Sequence, residues 1–172
     1  MRQQAVHQAA YEELLRQFAA PLRRLAHAYA RSANEREDLF QEIALALWTA
    51  LPAFRGDSSE RTWLYRVAHN TAIRFTVKST RRARQEERVD APEPVASANP
   101  ERSAIDDQQR QLLWGAVHEL PLADRQLVVL HLEGLSTADI QGVTGLSSAN
   151  VATRLTRIRK KLTAAIREGE RR

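Results

Sequence analysis

Apolar positions recur at helical spacing through most of this chain. From Tyr11 to about Ala30, the residues Leu14, Leu15, Phe18, Leu22, Leu25 and Tyr29 share one side of a helix, with Pro21 a point where that helix bends or divides. A second pattern opens at Asn34, a suitable N-cap with Glu37 following in the first turn, and runs to about Leu51. Its core side is Leu39, Ile43, Ala46, Leu47 and Ala50. A third pattern opens between Asp57 and Ser59 and continues to about Arg82, with Leu64, Ala68, Thr71 and Phe75 on the apolar face. Pro52 and Gly56 in "LPAFRGDSS" mark a loop between the second and third patterns.

The periodicity then stops. Residues 84–104, "RQEERVDAPEPVASANPERSA", hold three prolines, many small residues and almost no large apolar side chain, which reads as a flexible linker. Helical spacing resumes over Ile105 to Glu119, Leu122 to Leu132, Thr137 to about Val143 and Ser147 to about Arg167. Leu120-Pro121 starts one of these helices, Gly134 ends it, and Ser136 with Asp139 makes a capping box for the next. The prediction is an all-α protein of two small helical domains, residues 1–83 and 105–172, joined by the linker 84–104.

Composition agrees with that reading. Apolar residues make up 43% of the 172 positions, too many for a disordered tail, while six glycines and six prolines are too few for a turn-dense all-β chain. The absence of cysteine excludes disulfides, thiolate zinc sites and thiol switches, as in cytosolic proteins. The stretch "IALALWTALPAF" is too short to span a bilayer and the N-terminus lacks a signal-peptide core, so a cytoplasmic protein without membrane insertion is expected.

Charge adds a partner. The formal net charge is +5, and two acid-free clusters concentrate it: Arg74, Lys78, Arg81, Arg82 and Arg84, then Arg154, Arg157, Arg159, Lys160 and Lys161. Such runs are either solvated helix faces or footprints for a polyanion. The segment "LSTADIQGVTGLSSANVATRL" has the shape of a helix-turn-helix: a short helix, a turn at Gly145, and a longer helix capped by Ser147. In that last helix Val151, Leu155, Ile158 and Leu162 lie within about 60° of arc, and Asn150, Arg154, Arg157 and Lys161 form a second stripe about 100° away. One dry face and one basic, amide-bearing face suit a major groove: Asn pairs with adenine, Arg with guanine or phosphate, and Ser148 and Thr153 are small enough for close approach.

The third helix has a similar plan with a different instrument. Trp63, Arg66, Asn70, Arg74 and Arg81 share a face with Lys78 at its edge. Arginines follow phosphates, whereas an indole either stacks on an unpaired base or packs in the core at the helix start. On the second helix Asp38, Gln41, Glu42 and Leu45 make an acidic face with one leucine, suited to docking a protein. The histidines (His7, His27, His69, His118, His131) are scattered, His69 reads as a helix-surface residue, and Asp38 with Glu42 lacks a third ligand. Neither a metal, a cofactor nor a catalytic group is expected, and an enzyme acting on DNA is disfavoured.

The runs "EREDLFQEIALALW", "FRGDSSERTWLYRVAHN" and "LPLADRQLVVLHLEGLSTADIQGVTGLSSANVATRLTRIRKKL" resemble, in that order, the bacterial RNA polymerase sigma factors of the extracytoplasmic-function class. The resemblance implies that Asp38, Leu39, Gln41, Glu42 and Leu45 bind core RNA polymerase at the clamp coiled coil of its largest subunit, with the flap as a further contact. It implies that the loop from Leu51 to Thr62 holds a base flipped from the downstream (−10-type) promoter element, with Arg61, Trp63, Arg66, Asn70, Arg74, Lys78 and Arg81 beside it. Ser148, Asn150, Thr153, Arg154, Arg157 and Lys161 would then read the upstream (−35-type) element. Glu60 departs from the family, which often has a bulky apolar residue there. An anti-sigma partner is also expected by resemblance. The competing reading is a stand-alone helix-turn-helix regulator that never joins polymerase.

Overall fold

The opening residues "RQQAVHQAAYEE" carry no apolar stripe, but alanine, glutamine and glutamate lose little on entering a helix. In the computed structural model, which describes the backbone of residues 2–86 and 104–169 and the side chains of residues 4–82 and 110–169, they begin helix α1, Arg2–Tyr29. Periodicity starts the helix only at Tyr11, because the earlier turns are held by other contacts. The Tyr11 hydroxyl donates to the Ala44 carbonyl at 3.0 Å, and His7 Nε2 lies 3.1 Å from the Trp48 carbonyl oxygen. Both rings rest against the Trp48 indole. The helix also passes through Pro21 undivided. Leu22 and Leu25 are fully buried there, and their packing outweighs one missing backbone hydrogen bond.

Helix α2, Ala33–Ala50, is capped by Ser32, not by Asn34. The Glu35 amide donates to Ser32 Oγ at 3.1 Å and the Ser32 amide donates back to Glu35 Oε2 at 3.1 Å. Two overlapping sets of capping residues compete here, and the pair Ser32–Glu35 wins because Glu35 also accepts from Ser79 of the third helix at 3.1 Å. Burial works to raise the Glu35 carboxyl, yet hydrogen bonds from Ser32, Ser79 and Arg31 hold it below the ordinary value. Glu37 instead pairs with Arg23 of α1 at 2.7 Å.

A 3-10 turn over Leu51–Ala53 and Gly56 at φ 80° lead into α3, Glu60–Glu86. Ser59 caps α3 by accepting from the Thr62 amide at 3.1 Å. Leu39, Ile43 and Leu47 of α2 and Leu64, Tyr65 and Ala68 of α3 are buried together with Leu14, Leu22 and Leu25 of α1 in the core of this first unit. His69, expected on the helix surface, belongs to that core and has no exposed area. The apolar pattern of α3 does not reveal this, because His69 is buried by α1: Tyr29 Oη lies 2.9 Å from His69 Nδ1.

The second unit comprises α4 (Ala104–His118), α5 (Leu122–Leu132), α6 (Thr137–Thr144) and α7 (Ser148–Gly169). Its boundaries follow local chemistry closely. Gly134, at φ 74°, lets the Leu135 amide return to the Leu130 carbonyl at 3.1 Å, closing α5. Ser136 and Asp139 exchange capping hydrogen bonds at the start of α6, and Gly145, at φ 73°, turns the chain toward α7. Arg125, only 8% exposed, donates to the carbonyls of His118 and Leu120 at the end of α4. Val117, Leu127, Leu130, Ile140, Val151 and Ile158 fill the core. The described residues form helices and turns without strands. Residues 84–86 and 104, at the ends of the expected linker, are helical; residues 87–103 of it lie outside the described residues.

Candidate functional site

Three surfaces carry the residues singled out in the sequence. On α2 the burial of Leu39, Ile43 and Leu47 turns the opposite side outward, so Asp38, Gln41 and Glu42 are exposed and Leu45 keeps 65% of its surface. Leu39 is the exception in this set. It has no exposed area and therefore anchors the helix from within instead of lying on the contact face.

On α3 the burial of Leu64, Ala68 and Thr71 likewise exposes Arg61, Arg66, Asn70, Arg74, Lys78 and Arg81. The steps from Arg66 to Asn70, Arg74 and Lys78 keep these side chains in one row along the helix. Trp63 sits between the two alternatives read from sequence. It is half-buried, and its indole lies 4.9 Å from the Phe54 ring at 34°, so the loop between α2 and α3 supplies one of its contacts. Glu60, where the family often has a bulky apolar residue, is exposed in the first turn of α3.

These two surfaces meet. A groove of about 680 Å³ between α2 and α3 is lined by Glu42, Leu45, Thr49, Val67, Asn70 and Arg74. Glu42 and Lys78 also pair between the two helices at 4.0 Å; both are exposed, so water and salt weaken the pair.

On α7, Val151, Ile158 and Leu162 are buried and Leu155 half-buried, as the apolar stripe requires. Ser148, Asn150, Thr153, Arg157 and Lys161 are exposed. Ser148 Oγ donates to Gln141 Oε1 of α6 at 2.9 Å, which ties the start of α7 to the preceding helix. Arg154 departs from its neighbours: its guanidinium turns toward α5 and donates to Asp124 Oδ1 from Nε at 3.0 Å and from Nη2 at 2.5 Å. Asp124, Gln141 and Phe54 were not singled out in the sequence. Each lies within one of the quoted runs but 7 to 30 residues from the side chain it touches, and no periodicity links the partners. Among the described residues, no group of three or more His, Cys, Asp or Glu side chains could hold a metal ion, and no helix is long and apolar enough to cross a membrane.

Comparison with known proteins agrees with this arrangement. Residues 14–82 match the family Sigma-70 region 2, and residues 110–162 match Sigma-70, region 4. The ECF RNA polymerase sigma-E factor of Escherichia coli (strain K12) is 33% identical over 135 residues, covering 73% of this chain and 70% of that protein. The protein of that name from Haemophilus influenzae is 29% identical over 140 residues, covering 76% and 74%. Among solved structures, the sigma factor RpoE in complex with the anti-sigma factor NepR from Bartonella quintana aligns with a TM-score of 0.73 at 19% identity, covering 92% of this chain and 97% of that one. CnrH in complex with the cytosolic domain of CnrY gives 0.63 at 23% identity, covering 94% and 90%. A helical unit bearing an acidic face and a basic tryptophan-bearing face, followed by a helix-turn-helix unit, is therefore matched in sequence over both parts, and the chain belongs to the sigma-70 family of RNA polymerase sigma factors, in its extracytoplasmic-function class.

Proposed function

We propose that this sigma factor divides promoter recognition between its two units while bound to core RNA polymerase. The first unit runs from the N-terminus to the end of α3 and the second from α4 to the end of α7, with residues 87–103 as the tether. Asp38, Gln41, Glu42 and Leu45 dock on the clamp coiled coil of the largest polymerase subunit. Trp63 and the loop from Leu51 to Thr62 hold a base extruded from the downstream promoter element. Arg61, Arg66, Asn70, Arg74, Lys78 and Arg81 bind the separated strand beside it. Asn150, Thr153, Arg157 and Lys161 enter the major groove of the upstream element, with Ser148 at its edge.

The observation that carries this reading is the meeting of an acidic, leucine-bearing face on α2 with the basic row of α3 along one groove. A stand-alone regulator needs the helix-turn-helix but has no use for that pairing. Extruding a base requires a few kcal/mol, which a half-buried indole and a row of cations can offset, and the tether raises the effective concentration of each contact once the other has formed. The protein makes and breaks no covalent bond in this scheme and acts in the cytoplasm, where polymerase is. The structure of RpoE from Bartonella quintana holds that sigma factor in complex with the anti-sigma factor NepR, and an anti-sigma partner is inferred for this chain by that likeness.

The test is binding to purified core polymerase by the wild type and by a paired Asp38→Ala, Glu42→Ala variant, followed by transcription from genomic fragments. Tight binding by the wild type, its loss in the folded variant, and specific starts by the wild-type holoenzyme are expected. Failure of the folded wild type to bind core polymerase would overturn the reading.

A further inference from the structure

Arg154 is the one member of the basic stripe on α7 that does not point away from the second unit. At 100° per residue it lies about 40° from Asn150 on the side nearer Val151 and Leu155, whereas Arg157 and Lys161 lie within about 20° of Asn150. Its side chain is 30% exposed, and the carboxylate that holds it, Asp124, is 17% exposed. Both contacts go to one oxygen, Oδ1, and they use Nε together with Nη2. An arginine reads guanine by presenting two parallel N–H groups to O6 and N7. Here one edge of the guanidinium is already committed to Asp124.

The geometry points to Asp124 as a positioning residue of the recognition helix: by holding Arg154 through Nε and Nη2 it keeps that guanidinium from reading bases, and leaves base discrimination to Asn150, Thr153 and Arg157. This inference rests on the proposed reading of α7 as the upstream-element reader and deepens it. The position of Asp124 supports the assignment. It lies in the first turn of α5, where the helix dipole favours a carboxylate, and the α5 backbone is fixed there by Asp124 and Arg125 amides donating to the Pro121 carbonyl at 2.9 Å. A charge-assisted pair between groups mostly withdrawn from water fixes the arginine far better than an exposed pair would. Three N–H groups remain, two on Nη1 and one on Nη2, and a phosphate taken there adds affinity without sequence information.

The test reconstitutes holoenzyme from the full chain and core polymerase and selects duplexes randomised over the upstream element, comparing wild type, Asp124→Asn, Asp124→Ala, Arg154→Ala, Arg157→Ala and the double variant Asp124→Asn, Arg154→Ala. Arg154→Ala should weaken binding by a similar factor, roughly twofold to tenfold, on every selected sequence and leave the base preference intact. Asp124→Asn, or Asp124→Ala should the amide still hold the arginine, should alter the preference at one base position. The double variant should return the wild-type preference, an outcome that a merely structural contribution of Asp124 would not produce. Arg154→Ala relaxing preference at a single position, with Asp124→Asn and Asp124→Ala both leaving it unchanged, would overturn the inference while the α7 reading stands. Arg157→Ala changing neither affinity nor preference would overturn that reading and this inference with it.

Discussion

The hydroxyl of Tyr29 and Nδ1 of His69 lie 2.9 Å apart inside a core where His69 has no exposed area. The contact joins α1 to the helix that carries the basic row, in a site whose burial fixes the charge state of the histidine. Burial lowers the His69 pKa to about 3, so the imidazole is neutral at physiological pH. The hydrogen bond is therefore made with an uncharged ring, which burial penalises less than an imidazolium, although Nε2 is buried without a hydrogen-bond partner among the described residues.

This gives the first unit an acid sensitivity of known sign. An unfolded His69 takes up a proton near pH 6.5 and the folded one only near 3, so the unfolded state binds more protons between those values. Stability from this group is complete above about pH 6.5 and declines as pH falls toward 3. Between pH 7 and pH 5, with the folded group unprotonated throughout, the loss should be about 2 kcal/mol. Urea unfolding followed by tryptophan fluorescence at the two pH values should show it, and in His69→Phe the pH slope should be smaller. An equal slope in that variant would remove His69 as its source.

Two leucines on α2 separate stability from function. Leu47 is fully buried and Leu45 is 65% exposed. Leu47→Ala should lower the unfolding free energy by about 2–5 kcal/mol, visible as a fall in melting temperature. Leu45→Ala should change stability by less than about 0.5 kcal/mol. The same variant should reduce core polymerase affinity by roughly tenfold, as loss of an anchoring apolar contact does. Equal polymerase affinity in Leu45→Ala would take that residue off the docking face.

Trp63 should matter after the strands have parted. Its half-buried indole rests against Phe54, and on the proposed reading Trp63→Ala removes stacking worth about 1–3 kcal/mol per base. Open complexes, measured by permanganate reactivity of unpaired thymines, should become scarcer by tenfold or more. The defect should persist on a promoter opened beforehand by mismatches, because the missing contact is to the captured base. Full rescue by the mismatched template would instead assign Trp63 to strand separation alone.

Gly145 sets the direction of α7. It has φ 73°, and a Cβ built there meets nothing within 4 Å. The effect of Gly145→Ala is thus conformational and not steric, at about 1–2 kcal/mol of destabilisation. Thermal unfolding reported by Trp114, in the second unit, should detect it. Gly145→Asn should lose less, since asparagine tolerates left-handed backbone better than alanine.

Helix periods, caps and turns were legible in the chain because each is encoded within a few residues. Leu122–Leu132 needed only its apolar spacing, Pro121 and Gly134; the turn before α7 needed Gly145 and Ser147. The order of the three motifs likewise carried the family. Where two local signals overlapped, as Ser32 and Asn34 did, a contact from Ser79 decided between them. Tertiary packing alone decided that His69 is interior, that His7 and Tyr11 extend α1, and that Arg154 turns to Asp124. Those outcomes depend on partners 30 or 40 residues away, as in the Asp124–Arg154 and Tyr29–His69 pairs. A helical pattern states which face of a helix is apolar; it does not state which polar groups the neighbouring helices will bring to that face.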